Sequence, residues 1–178
     1  MNALIYLQTA FQYWASDKMD WLGAGSPAIL SLLCLIWIVY RKEAMDRRYL
    51  LLLPIISASG YLFGSFEGYD FHVFSLLALI WMGLAIARKI PALQVLPLTF
   101  VSVLVPDLYA AGHQLFWHPQ AFNGIGGGGL LDGDFLAPVG FQLSVFPLRY
   151  IVDRNPGACT RILNAVWKPN RDQAARHP

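Results

Sequence analysis

WLGAGSPAILSLLCLIWIVY, residues 21–40, runs directly into RKEAMDRR, residues 41–48. Twenty consecutive positions carry no charge, and six of the next eight are charged. Twenty residues at about 1.5 Å each match a hydrocarbon core about 30 Å thick. The abrupt basic end is the mark of a helix that stops at a membrane face. Ser26-Pro27 adds a helix-start signal inside the run, since serine caps and proline suits the first helical position.

The composition agrees. Of 178 residues, 56% are hydrophobic and only 13% are charged. A soluble domain carries about 25% charged residues. Each charge at a bilayer centre costs about 2.5–3.5 kcal/mol, which accounts for the depletion.

Downstream the pattern repeats. Apolar runs cover 49–66, 71–87 (stopped by Arg88-Lys89), 90–106 and 135–152. Gly60 and Gly64 form a GxxxG pair, read as close packing. Pro97 is expected to kink the fourth run. The last run holds Pro138, Gln142 and Pro147, so it either spans or re-enters. The expected fold is an all-α membrane protein, a polytopic helical bundle of about five transmembrane helices, or four plus a re-entrant segment. Residues 21–152 form the bundle, 107–134 a Gly-rich outer loop and 153–178 a basic tail.

Upstream, residues 1–20 place Leu4, Leu7, Phe11 and Trp14 at helical spacing beside Gln8, Gln12 and Ser16. The stretch is too short and polar to span. An interfacial helix is expected, with packing on the spans as the alternative. No basic residue precedes its apolar part up to position 16, so no cleavable signal peptide is expected. Cys34 and Cys159 lie in an apolar run and in the tail, so a disulfide framework is not expected.

The charges set an orientation. Twelve of thirteen basic residues fall in 41–48, 88–89 and 149–178, on one side of a five-span chain. Those regions are expected in the cytoplasm, with the N-terminus outside and the C-terminus inside, in a bacterial inner membrane. That side sums to +8 against four acids; the other side holds Lys18 and seven acids, or −6. Acids contribute little to orientation, so their gathering outside is the functional clue.

Glu67, Asp70, His72 and Asp107 are expected near the outer boundary, followed by His113, His118, Asp132 and Asp134 in the loop. Carboxylates with imidazoles can bind a divalent metal such as zinc, or do acid/base chemistry. A solvated acidic rim is the plainer expectation. His113 and His118 are five apart, which is not one helical face. Gly124-Ile-Gly-Gly-Gly-Gly129 lacks the lysine of a phosphate loop and reads as backbone freedom or close approach. No nucleophile constellation has diagnostic spacing. In the tail, Arg154, Arg161 and Lys168 beside Ile162, Leu163, Val166 and Trp167 are expected to contact lipid.

The expected function is that of a non-catalytic subunit or accessory of an envelope assembly. A membrane-embedded enzyme with an outward Asp/Glu/His site and an oligomeric pore or carrier are the alternatives. The expected partners are the lipid bilayer and either other membrane proteins or further copies of the chain, not nucleic acid.

Overall fold

A computed structural model describes residues 3–14, 20–43, 47–67, 70–73, 76–117 and 133–155. These residues are mostly helical, and three helices are long and apolar enough to cross a membrane. Helix α1 is Ala3–Trp14. Helix α2 is Trp21–Tyr40 and α3 is Leu52–Leu62, the latter entered by a 3-10 turn Arg47–Leu51. Strands β1, Ser65–Glu67, and β2, Asp70–His72, form an antiparallel hairpin. Helix α4 is Leu76–Ile86, α5 is Val95–Trp117 and α6 is Gly133–Arg154.

Helix α2 starts earlier than Ser26-Pro27 suggests. The Asp20 carboxylate accepts from the Leu22 N–H at 2.8 Å and caps the helix there. Its first turn, Trp21–Gly25, is a π-turn. A proline ring in a regular helix clashes with the carbonyl four residues back. The wide turn accommodates Pro27 without ending the helix. Pro27, Ser31 and Ile38 face inward, while most of the remaining large side chains are exposed.

Helix α5 is the axis of the molecule. It packs against α1, α2, α3, α4 and α6, and its apolar stretch is 67% buried against 33% for α2 and 22% for α6. The core joins Ile56 of α3, Trp81 and Ala85 of α4, Val95 and Leu98 of α5 and Val145 of α6. Trp81 is fully buried, and its indole N–H donates to Ser102 Oγ at 2.9 Å. The Ser102 hydroxyl donates in turn to the Leu98 carbonyl at 2.8 Å. A buried indole donor is thus satisfied without importing water.

Several segment boundaries differ from the sequence reading. The run 49–66 is helical only to Leu62, and 71–87 becomes helical only at Leu76, because the hairpin takes the residues between. Helices α3 and α4 are therefore short, about 26 Å and 18 Å with their 3-10 turns. The third difference is α5, which does not stop at Pro106 but runs on to Trp117, through the start of the expected loop. Proline costs one backbone hydrogen bond, and packing of Tyr109, Gly112 and His113 on neighbouring elements holds the helix past it. Fourth, α6 begins at Gly133 rather than 135.

Helix α1 is seated on α5 rather than isolated at a surface. Tyr6 is buried, while Leu4 and Phe11 of the apolar stripe remain exposed. Gly112 makes the seat: a Cβ there would overlap the Tyr6 carbonyl oxygen and lie 2.5 Å from its carbonyl carbon. Of the GxxxG pair, Gly64 makes room for the hairpin. Gly64 lies past the end of α3, where a Cβ would come within 2.8 Å of the His72 carbonyl oxygen as the hairpin returns.

Candidate functional site

Helix α5 has two ends, and the chemistry-bearing residues gather at both. At its C-terminal end, Tyr109 and His113 are four residues apart and share a face. Around them the rings close a circuit. Tyr6 meets Tyr109 at 5.7 Å between centroids, and Tyr109 meets Tyr61 edge-on at 4.8 Å. Tyr61 meets Phe71 at 5.4 Å, and Phe71 meets Phe66 at 4.8 Å. Phe66 then reaches His113 at 6.4 Å, and His113 returns to Tyr6 at 5.8 Å. Edge-to-face and tilted pairs of this kind contribute about 0.5–1.5 kcal/mol each. Four separate elements, α1, α3, the hairpin and α5, are tied together by it.

The expected acids and histidines are distributed around this circuit. Glu67 and Asp70 face each other in the hairpin register. His72 Nε2 stands 3.4 Å from Glu67 Oε2, with side chains 60% and 88% exposed. Such exposure makes the pair worth little in stability. Asp107 is partly buried on α5, and Asp134 is buried in the first turn of α6, where a negative charge suits the helix dipole. His113 sits in the aromatic circuit. His118, Asp132 and the glycine run lie outside the described residues. Among the described residues, no three His, Cys, Asp or Glu side chains come together as a metal site would require.

At the other end of α5 the basic residues converge. Helices α2 and α4 both end in Schellman turns whose left-handed position is basic rather than glycine: Lys42 at φ 54° and Arg88 at φ 57°. The Glu43 N–H donates to the Ile38 carbonyl at 3.1 Å, and the Lys89 N–H to the Leu84 carbonyl at 2.9 Å. A non-glycine residue pays about 1–2 kcal/mol for that conformation. The positive charge beside the negative helix end returns part of it.

Arg88 reaches across to Asp153 of α6 with two hydrogen bonds, at 2.9 and 2.8 Å. Arg149 of α6 donates through Nε to the Ala85 carbonyl at 2.6 Å and through a second nitrogen to the Ile90 carbonyl at 3.2 Å. The guanidinium thereby caps the end of α4 and ties α6 to the turn before α5. Deeper in, Gln142 Oε1 accepts from the Leu96 N–H at 3.1 Å, one of the donors a helix start leaves open. Glu43, Arg88, Lys89, Ile90, Pro91, Arg149 and Asp153 line one open cavity of about 580 Å³. The sequence reading counted Arg149 only among the basic residues of one membrane side and missed this cavity. The signal was a set of charges at the ends of three separate apolar runs.

Of the tail residues expected at lipid, Arg154 lies over the Tyr150 ring at 4.5 Å, a cation–π contact, and Arg161 and Lys168 lie outside the described residues. Between the two ends, Ser31 Oγ, Ser57 Oγ, Thr99 Oγ1, Gln94 Oε1 and Gln142 Nε2 are buried without a hydrogen-bond partner among the described residues.

Compared with protein-family models, with curated proteins and with solved structures, the chain finds no match.

Proposed function

We propose that this chain is a small integral membrane protein and a non-catalytic subunit or accessory of a bacterial inner-membrane assembly. About five segments cross the bilayer, with α3 and α4 as the short ones and α6 crossing fully. The N-terminus is outside and the C-terminus is in the cytoplasm. Support for this topology comes from the basic end, where residues of three separate basic regions line one cavity. In a five-span chain those regions belong on one side.

The observation that carries the subunit reading is α2. Its exposed surface includes Ile29, Leu32, Leu33, Ile36, Trp37 and Val39, and only a narrow stripe is spent on the fold. A photo-crosslinking residue in place of Ile36 tests the reading in native membranes. One discrete protein adduct is expected. Lipid adducts alone, with the protein migrating as a monomer on native gels, would overturn it. An alkaline phosphatase fused after Pro178 should be inactive and one at Asn123 active. The reverse pattern would reject the orientation.

The buried hydroxyls of α2, α3 and α5, with the amides of Gln94 before α5 and Gln142 on α6, favour a second reading, an oligomeric pore or carrier. Solute uptake by proteoliposomes that is lost on Thr99→Val would support that reading.

A further inference from the structure

We propose that the cavity at the basic end binds one phosphate-bearing group, taken from a phospholipid headgroup or from free phosphate. The lipid source rests on the membrane reading above; the free-phosphate source does not.

Among the described residues, the cavity walls hold three cations, Arg88, Lys89 and Arg149, against two carboxylates, Glu43 and Asp153. Their roles differ. Arg88 donates from one guanidinium nitrogen to both oxygens of Asp153, an ion pair that leaves little net charge. Arg149 is held by two backbone carbonyls, which are neutral, so its full charge stays in place on a fixed guanidinium. Lys89 is exposed and makes no ion pair among the described residues. A planar guanidinium and a compact ammonium together form a common phosphate-binding pair. Pro91 on the wall leads straight into the helical run from Ala92, whose start carries the positive end of a helix dipole.

Size and lining narrow the ligand. A volume of about 580 Å³ takes a headgroup with room for water. Among the described residues, only Ile90 and Pro91 of the lining are apolar, and no aromatic side chain lines the cavity to hold a nucleotide base. The cavity joins the ends of α2, α4 and α6 to the start of α5, which is the level of a lipid phosphate if those helices cross a membrane.

The test uses the full-length protein, purified and stripped of lipid in an uncharged detergent, with bound species counted by native mass spectrometry. Phosphatidylglycerol, diacylglycerol and inorganic phosphate are added separately. One retained phosphatidylglycerol and no retained diacylglycerol are expected. Each charge near such a group is worth about fivefold in affinity. Lys89→Gln should weaken binding by about that factor, and Glu43→Gln should strengthen it by a similar one. Both side chains are exposed, so neither change threatens folding. If inorganic phosphate binds as tightly as the lipid and answers to the same two variants, the ligand is free phosphate and the site stands. Diacylglycerol binding as well as phosphatidylglycerol would overturn the proposal. So would binding of neither phosphate probe, or binding indifferent to both variants. A protein recovered from the soluble fraction would sink the membrane reading instead, and the inorganic phosphate arm would still decide the site.

Discussion

Gly112→Ala is expected to unseat the N-terminal helix while leaving the rest of the bundle intact. The added methyl would lie 2.5 Å from the Tyr6 carbonyl carbon and 2.8 Å from its Cα. Favourable carbon contacts begin near 3.5 Å, so α1 must retreat by about 1 Å. Its obstacle is backbone, which cannot rotate aside as a side chain would. Overpacking of this kind costs about 1–3 kcal/mol. Alanine also favours the α5 helix over glycine by about 0.8–1.0 kcal/mol, but that gain is present whether or not α1 is docked. The docking equilibrium therefore loses the whole overlap cost. Hydrogen exchange of the amides in 3–14 should speed up roughly 5- to 150-fold, read by mass spectrometry on the purified protein. Exchange in Trp21–Tyr40 should not change. Gly83→Ala is the control, because a Cβ at Gly83 meets nothing within 4 Å. It should stabilise α4 by up to about 1 kcal/mol and leave 3–14 untouched. Unchanged exchange in 3–14 for Gly112→Ala would refute the seat and, with it, the place of Tyr6 in the aromatic circuit.

Two further outcomes follow from the same physics. Ser102→Ala removes the acceptor of the fully buried Trp81 N–H, so thermal unfolding in detergent should show a loss of about 1–3 kcal/mol, whereas Trp81→Phe with Ser102→Ala should cost less than the two singles combined. Lys42→Gly should relieve its left-handed strain and raise the melting temperature, by up to about 1 kcal/mol of stability, while Arg88→Gly should gain less or lose, because it also breaks the pair with Asp153.

The sequence alone determined the mostly helical character of the molecule and the place of its apolar helices. Twenty uncharged residues ending at Tyr40 can be satisfied in few ways, and α2 occupies those positions. The basic regions were legible because charge is read one residue at a time. What the sequence did not yield were features that depend on a second element. Phe66 and Phe71 are as apolar as any helix residue, and only their pairing across a return of the chain makes them strands. Glu67-Gly-Tyr-Asp70 reads as a short turn from the sequence, and Gly-X is a pair that two-residue hairpins favour. Hydropathy still gave the residues on either side of it to helices. Pro106 looked like a helix end because a local rule sees the lost hydrogen bond and not the packing that offsets it. The candidate sites divide in the same way. Their residues could be named from the chain, but which of them meet was decided by tertiary structure. Arg149 is recruited by carbonyls 59 and 64 positions away, and Tyr6 is drawn to α5 by a glycine more than a hundred residues on. Interactions at such separations leave no periodicity along the chain, because their geometry exists only once the helices have packed.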